Sequence, residues 1–571
     1  MTPVSITCKN CTEEPLPYTK HHSKAVQAGR PLVPLKNATV ENRPRLSHII
    51  FFLITAFFLF SCFIYQPCAQ ASAAGGIDRH WAERDIEKVI QLGIASGYPG
   101  QPFEPDRMVT RAEFVRMLTA AGWVRAFDGN SQPTFKDVGT GHWAYPFVEA
   151  AAAAGIVAGE GKNERDFAPD RVLTRAEMAA MAGRLMAAEH LPGVPAKEVG
   201  EQGGWLALLH KEGLISGYPD GSMREGSGLT RAEACAVVLR LKEKLLAAHA
   251  GEERRWISSS QRKDGYIVMG GGRPDILPYF GNLTEMAQLD KPEYLDGVRK
   301  YLVWYLANLN YPDSWGLNGT IYDRRLEEGA ARSVYEYDSA DSYAATLLSL
   351  VDGYCLSSGE AGFARDHYRD LSTVSEIIIT LQDSDGLVWA KPDRQFKYLM
   401  DNCECYRGLK DWSHLLAGLG YQQQSSFYDS KAELIKKGIL ERFWDEDTSC
   451  FAWAVGQGGE KCLPSPGEAY PGLYAQIYPA TFGVIPPESE KAVLAYRKLN
   501  EELPRWAELE VGDPFPWAIL GYAAAIMDDL AGADRFLENC RSSYVLKGHC
   551  FPWSTFEGGF YVRACEVLRE K

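Results

Sequence analysis

The sequence has no basic surplus: 60 Lys and Arg stand against 74 Asp and Glu, a net charge of -14. That excludes nucleic acid as a partner, because phosphate binding needs a concentrated basic surface. A disulfide framework is missing as well. Of 13 cysteines, Cys8, Cys11, Cys62 and Cys68 fall in the first 70 residues, and the odd remainder keeps no regular spacing. Cys403 and Cys405 stand one residue apart with no second Cys or His pair at zinc spacing, so no metal site and no cofactor is expected. Histidine is scarce at 11. Strand signals are few, and there is a single long apolar run.

That run is IIFFLITAFFLFSCFIY, residues 49–65. Arg43 and Arg45 precede it and CAQASAAGG follows, which is the layout of a secretory signal over residues 49–73, cleaved after Ala71 or Ala73. The other reading of so short a run is a retained membrane anchor. Residues 1–48 are long for the basic start of a signal and look unstructured. The rest is ordinary globular material, 46% hydrophobic and 23% charged over a 571-residue chain, which suits three or four domains.

After the signal the chain repeats itself. HWAERDIEKVIQLGIASGYPGQPFEPDRMVTRAEF is followed by HWAYPFVEAAAAAGIVAGEGKNERDFAPDRVLTRAEM, and then by GWLALLHKEGLISGYPDGSMREGSGLTRAEA. Each copy has a Trp (Trp81, Trp143, Trp205), an amphipathic helix, a turn bounded by two glycines, and Thr-Arg-Ala-Glu starting at Thr110, Thr174 and Thr230. Thr-x-x-Glu is a capping box. It does not account for Arg111, Arg175 and Arg231 at the first helical position, where free backbone N–H groups and the helix dipole suit an anion.

The thrice-repeated motif resembles a set of S-layer homology domains, over residues 76–124, 134–190 and 195–246. The resemblance implies a pseudo-threefold helical prism that binds pyruvylated secondary cell-wall polysaccharide on peptidoglycan. It implies a secreted protein on the wall of a bacterium with an S-layer-type envelope. By the same resemblance Arg111, Arg175 and Arg231 meet the acidic sugar, with Trp81, Trp143 and Trp205 as groove or core partners. Gly97, Gly159 and Gly217 would let the turn approach it. The copies are unequal, since the second has GEG where the others have GYP, and the third lacks Pro-Asp before its motif.

Beyond a charged linker expected at residues 243–255, residues 253–571 read as about eleven amphipathic helices separated by loops rich in Gly, Pro, Asp and Trp. An all-α toroid is expected rather than a bundle. It resembles the six-hairpin glycosidase superfamily, chiefly in architecture, with DSADSYAATLL looking like one family's helix start. Glycoside hydrolysis needs two carboxyls flanking the scissile bond. Asp341, Asp401 and Glu404 are the catalytic candidates. Asp338, Trp315, Trp389, Asp513, Trp517 and Glu557 are candidates for substrate binding. Asp338 is expected to cap the helix that Gly353 ends, and Asp341 to be ionised in its first turn. The competing readings are a surface lectin or structural protein, and a polysaccharide lyase, which the scarcity of histidine disfavours.

Overall fold

Each Thr-Arg-Ala-Glu motif opens a helix in the computed structural model. It describes residues 76–571 apart from 99–100, 126, 128, 130–131, 161–164, 192–193, 195–201 and 219. The apolar run at 49–65, its cleavage site and residues 1–48 lie outside the described residues. Six helices belong to the repeats: α1 (Glu83–Gln91), α2 (Arg111–Ala121), α3 (Tyr145–Ala153), α4 (Arg175–Ala188), α5 (Gln202–Lys211) and α6 (Arg231–Ser260). All three capping boxes are complete. Thr110, Thr174 and Thr230 accept from the backbone of Glu113, Glu177 and Glu233, whose carboxylates accept from the threonine N–H in return.

The copies interlock in rotation. Val109 N donates to Leu229 O, Leu229 N to Leu173 O, and Leu173 N to Val109 O, at 2.9, 3.0 and 3.0 Å. The cycle closes on itself, which gives the prism its pseudo-threefold centre. Gly93, Gly155 and Gly213 follow the first helix of each repeat with positive φ, a backbone state that glycine enters at least cost.

The stretch 243–255, expected to be a linker, is the middle of α6, one unbroken helix of 30 residues. Most charges in and beside this stretch are paired with the elements packed against the helix. Lys242 Nζ lies 2.6 Å from Asp534, His249 Nε2 3.2 Å from Glu189, and Arg254 Nη1 2.8 Å from Glu566. The boundary drawn between residues 246 and 253 therefore falls inside a helix shared by both parts.

Twelve further helices follow among the described residues: α7 (Pro278–Glu285), α8 (Leu295–Ala307), α9 (Ala340–Ser358), α10 (Ala361–Asp366), α11 (Tyr368–Leu381), α12 (Leu399–Gly418), α13 (Gln422–Gly438), α14 (Tyr478–Thr481), α15 (Glu490–Glu502), α16 (Ile519–Ile526), α17 (Leu530–Ser543) and α18 (Thr555–Glu570). Helices α7, α9, α12, α14, α16 and α18 pack each on the next, and α18 returns to α7. This closes an inner ring of six. The outer helices cover it, with α6 on α18, α8 and α11 on α9, α13 on α12, and α17 on α16. The expected toroid is present.

Inner position explains why α9 is buried on nearly every side, well beyond the apolar stripe its sequence suggests. Gly353 does not end it. The helix runs on to Ser358 and is capped by left-handed Gly359. At Gly353 a Cβ would stand 2.6 Å from Leu289 Cδ1, so the glycine serves close packing.

Candidate functional site

The N-terminal ends of the inner helices bring together Tyr279 of α7, Asp341 of α9, Asp401 and Glu404 of α12, and Tyr478 of α14, which act on one another electrostatically. Neither acidic pair is a cap. The N-cap of α9 is Ser339, so Asp338 stands one residue outside and Asp341 is in the first turn. The N-cap of α12 is Tyr398, leaving Asp401 in the first turn and Glu404 in the second. Released from capping, these acids face the ring interior.

Burial dominates their chemistry. It pushes the fully buried Asp341 up to about 7, against the pull of the Ser342 N–H at 2.9 Å. The first-turn dipole, expected to keep this carboxyl ionised, is the weaker effect. Glu404 is pushed up to about 8, although Tyr279 donates to its Oε1 at 2.7 Å. Asp401 is raised well above the carboxylate range by burial and then by the charges of Asp341 and Glu404. Asp341 Oδ2 and Glu404 Oε2 are buried without a hydrogen-bond partner among the described residues. An orphaned carboxyl oxygen costs about 1–3 kcal/mol, and its persistence needs an explanation.

The other candidates divide. Trp315 is half exposed on the rim loop. Trp517 is buried and stacks on Tyr470 at 4.9 Å, with its indole N–H on Asp513 at 3.2 Å. Glu557, pushed up to about 8 by burial, accepts from Ala518 N at 2.5 Å and so holds that turn. Trp389 is buried beneath the Lys397 ammonium, 4.3 Å from the ring centre. Asp338 is half-buried and raises its neighbours Asp341 and Asp401. Sequence reasoning missed Tyr279, whose partner Glu404 is 125 residues away. It also missed Asp323, which accepts from Tyr343 OH at 2.8 Å and is pushed by burial up to about 8. The loop YPDSWGLNGTIYD, residues 311–323, ends on that aspartate and gathers aromatics around it, the one signal available. Beside Glu404 lies a half-open pocket of about 380 Å³, lined among others by Thr346, Arg407, Asp411, Tyr522 and Arg563.

In the prism the motif arginines are buried and each grips the next repeat. Nε of Arg111, Arg175 and Arg231 donates to the carbonyls of Phe167, Met223 and Phe103 at 2.8, 3.0 and 3.0 Å. Their Nη2 atoms donate to Ala158, Ser216 and Ser96, the carbonyls just before Gly159, Gly217 and Gly97. The expected free N–H groups at these helix starts are occupied. Arg111 N and Ala112 N donate to Arg171 O and Pro169 O at 3.0 Å each, and the other two copies repeat the pattern. Any anion must therefore be met by side chains. Trp81 and Trp143 are exposed, whereas Trp205 is buried against Gly183. The spacing explains it: Trp81 and Trp143 stand twelve residues before Gly93 and Gly155, but Trp205 only eight before Gly213.

The model of the S-layer homology domain matches residues 75–115 and 134–179. An amylopullulanase of Thermoanaerobacterium thermosulfurigenes is 33% identical over 180 residues, 29% of this chain and 9% of that protein. A cellulosome-anchoring protein of Acetivibrio thermocellus is 31% identical over 191 residues, 31% of this chain and 39% of that protein. The chain thus spans well under half the length of these curated relatives. Among solved structures, a wild-type glycosidase aligns with a TM-score of 0.44 at 13% identity, over 57% of this chain and 96% of that one. The matched repeats, with complete capping boxes at their motifs, make this a cell-surface, wall-associated protein that carries S-layer homology domains ahead of an all-α domain.

Proposed function

We propose that the chain is a wall-anchored glycoside hydrolase. The repeats hold secondary cell-wall polysaccharide on peptidoglycan, with the motif arginines Arg175 and Arg231 set toward the acidic pyruvyl ketals of that polymer. The domain at 253–571 cleaves a glycan at the N-terminal mouth of the inner ring. The observation that carries the enzymatic half is the buried trio Asp341, Asp401 and Glu404, with unpartnered oxygens on two of them. Glycosidases pair a protonated carboxylic acid with an ionised one. Here the charge of an ionised Asp341 raises both Asp401 and Glu404 and so helps to keep them protonated. Asp341 is then the base or nucleophile, and Glu404 or Asp401 the acid that protonates the leaving oxygen. Tyr279 orients Glu404, and the rim aromatics receive the sugar faces. The cellulosome-anchoring protein named above lends support to the anchoring half.

The test is release of reducing sugar by the full chain from isolated wall polysaccharide and from plant glycans. Asp341→Asn, Asp401→Asn and Glu404→Gln should each lower kcat by about 10²–10⁴-fold, the usual worth of a general acid or base. Unchanged turnover in all three would overturn the assignment and leave a binding or structural toroid.

A further inference from the structure

The three grooves of the prism are built on one plan, and one of them is already filled. Each sets a buried motif arginine opposite a second, more exposed arginine. In the first repeat the guanidinium groups of Arg231 and Arg107 both lie over the Tyr98 ring, at 4.5 and 4.4 Å. In the third, Arg175 and Arg224 both lie over Tyr218, at 5.1 and 3.8 Å. The second repeat has no tyrosine there. Glu160 takes its place, and a single oxygen of it stands 3.0 Å from Arg171 Nε and 3.7 Å from Arg111 Nε. Glu177 also bridges the two, 2.8 Å from Arg111 Nη1.

Among the described residues, no carboxylate bridges both arginines in the two tyrosine grooves. Glu104 pairs with Arg107 alone at 3.1 Å, Asp220 with Arg224 alone at 3.3 Å, and Glu233 with Arg175 alone at 3.3 Å. Arg231 meets the Tyr98 hydroxyl at 3.2 Å, which in turn donates to Glu113. In the second groove a carboxylate therefore stands where the other two have a tyrosine, and it meets both arginines in charge-assisted contact and neutralises them.

We infer that Glu160 is a built-in occupant that closes the second groove, so that the prism binds carboxylate-bearing sugar at two sites, over Tyr98 and over Tyr218, and not at three. This rests on the anchoring reading above and adds which grooves serve it. The tyrosine rings hold the two guanidinium groups without neutralising them, and the half-exposed Arg107 and Arg224 supply the reachable charge. In the second groove the same charge is spent on Glu160 and Glu177.

The experiment is calorimetric titration of the full chain with soluble wall-polysaccharide fragments carrying one pyruvyl ketal each. The expected stoichiometry is two. Arg107→Ala and Arg224→Ala should each remove one site or weaken it more than tenfold, and both together should abolish binding. These side chains are about half exposed, with relative exposures of 49% and 48%, so the variants keep the fold, which their melting curves verify. Arg171→Ala should leave stoichiometry at two and affinity within twofold. Three sites in the wild type, or a loss of binding by Arg171→Ala equal to that of Arg107→Ala, would overturn the inference while leaving the anchor intact. No binding by the wild type would overturn the anchoring reading and this inference with it.

Discussion

Asp341→Asn should abolish turnover and at the same time stabilise the protein in alkaline solution. The folded chain holds the Asp341 carboxyl at about 7, against an ordinary 3.8. Each pKa unit is worth about 1.4 kcal/mol, so burial opposes ionisation of this group by roughly 4 kcal/mol. The sign follows from proton binding. Between the two values the folded state holds a proton that the unfolded state has lost, so stability declines as pH rises from about 4 to about 7. Asparagine cannot ionise and avoids the penalty. The gap in Tm between variant and wild type should be small at pH 4.5, open as pH rises, and level off above about 7. For a domain of this size roughly 4 kcal/mol corresponds to about 5 °C. Differential scanning calorimetry of both proteins at pH 4.5, 6 and 8 reads it directly. A variant less stable than wild type by the same amount at all three values would refute the reasoning, because the carboxyl would then be a structural acceptor for Ser342 and nothing more.

Asp338→Asn removes a charge that raises both Asp341 and Asp401, so the acidic limb of the pH–rate profile should move to lower pH; an unmoved limb would show that Asp338 does not reach the site. Trp205→Ala should cost about 3–5 kcal/mol in denaturant unfolding, as for a buried indole, whereas Trp81→Ala and Trp143→Ala, on exposed side chains, should stay within about 0.5 kcal/mol and weaken sedimentation with isolated walls. Lys242→Met leaves Asp534 buried without its cation and should destabilise by about 3–5 kcal/mol. The double variant with Asp534→Leu should recover most of that, and a failure to recover would show that Trp123, whose ring lies 4.1 Å from Lys242 Nζ and whose indole N–H donates to Asp534 at 3.0 Å, holds the interface in place of the ion pair.

What could be read from sequence was the chemistry that acts over a few residues. The capping boxes are complete because Thr and Glu at i and i+3 meet within one helical turn, whatever the rest of the chain does. The toroid was legible because its helices keep a 3.6-residue period. The errors have one physical origin, partners far apart along the chain. Residues 243–255 look like a solvated linker until Lys242 meets Asp534 and Arg254 meets Glu566, 312 residues on. Asp338 looks like a cap because aspartate favours that position, but Ser339 takes it once the preceding loop is fixed. The expected anion site at the motif helices assumed unoccupied N–H groups, and the neighbouring repeat supplies their acceptors. The choice between groove and core for Trp205 was open to the sequence, since its spacing to the turn glycine differs from the other two.

Because α6 begins as the capped motif helix of the third repeat and ends against α18 of the ring, the two parts are geared rather than tethered. A helix of this length spans about 45 Å and turns about 100° per residue. Adding one residue near its middle would swing the mouth of the ring by that angle about the shaft and tear Lys242 from Asp534 and His249 from Glu189. Deleting a full turn would restore the angle but draw the parts together by about 5 Å. The repeats therefore cannot be exchanged for another anchor by cutting at a convenient boundary. A graft must keep the phase of the shaft, and the direction in which the ring opens is fixed relative to the anchor from the moment the chain folds.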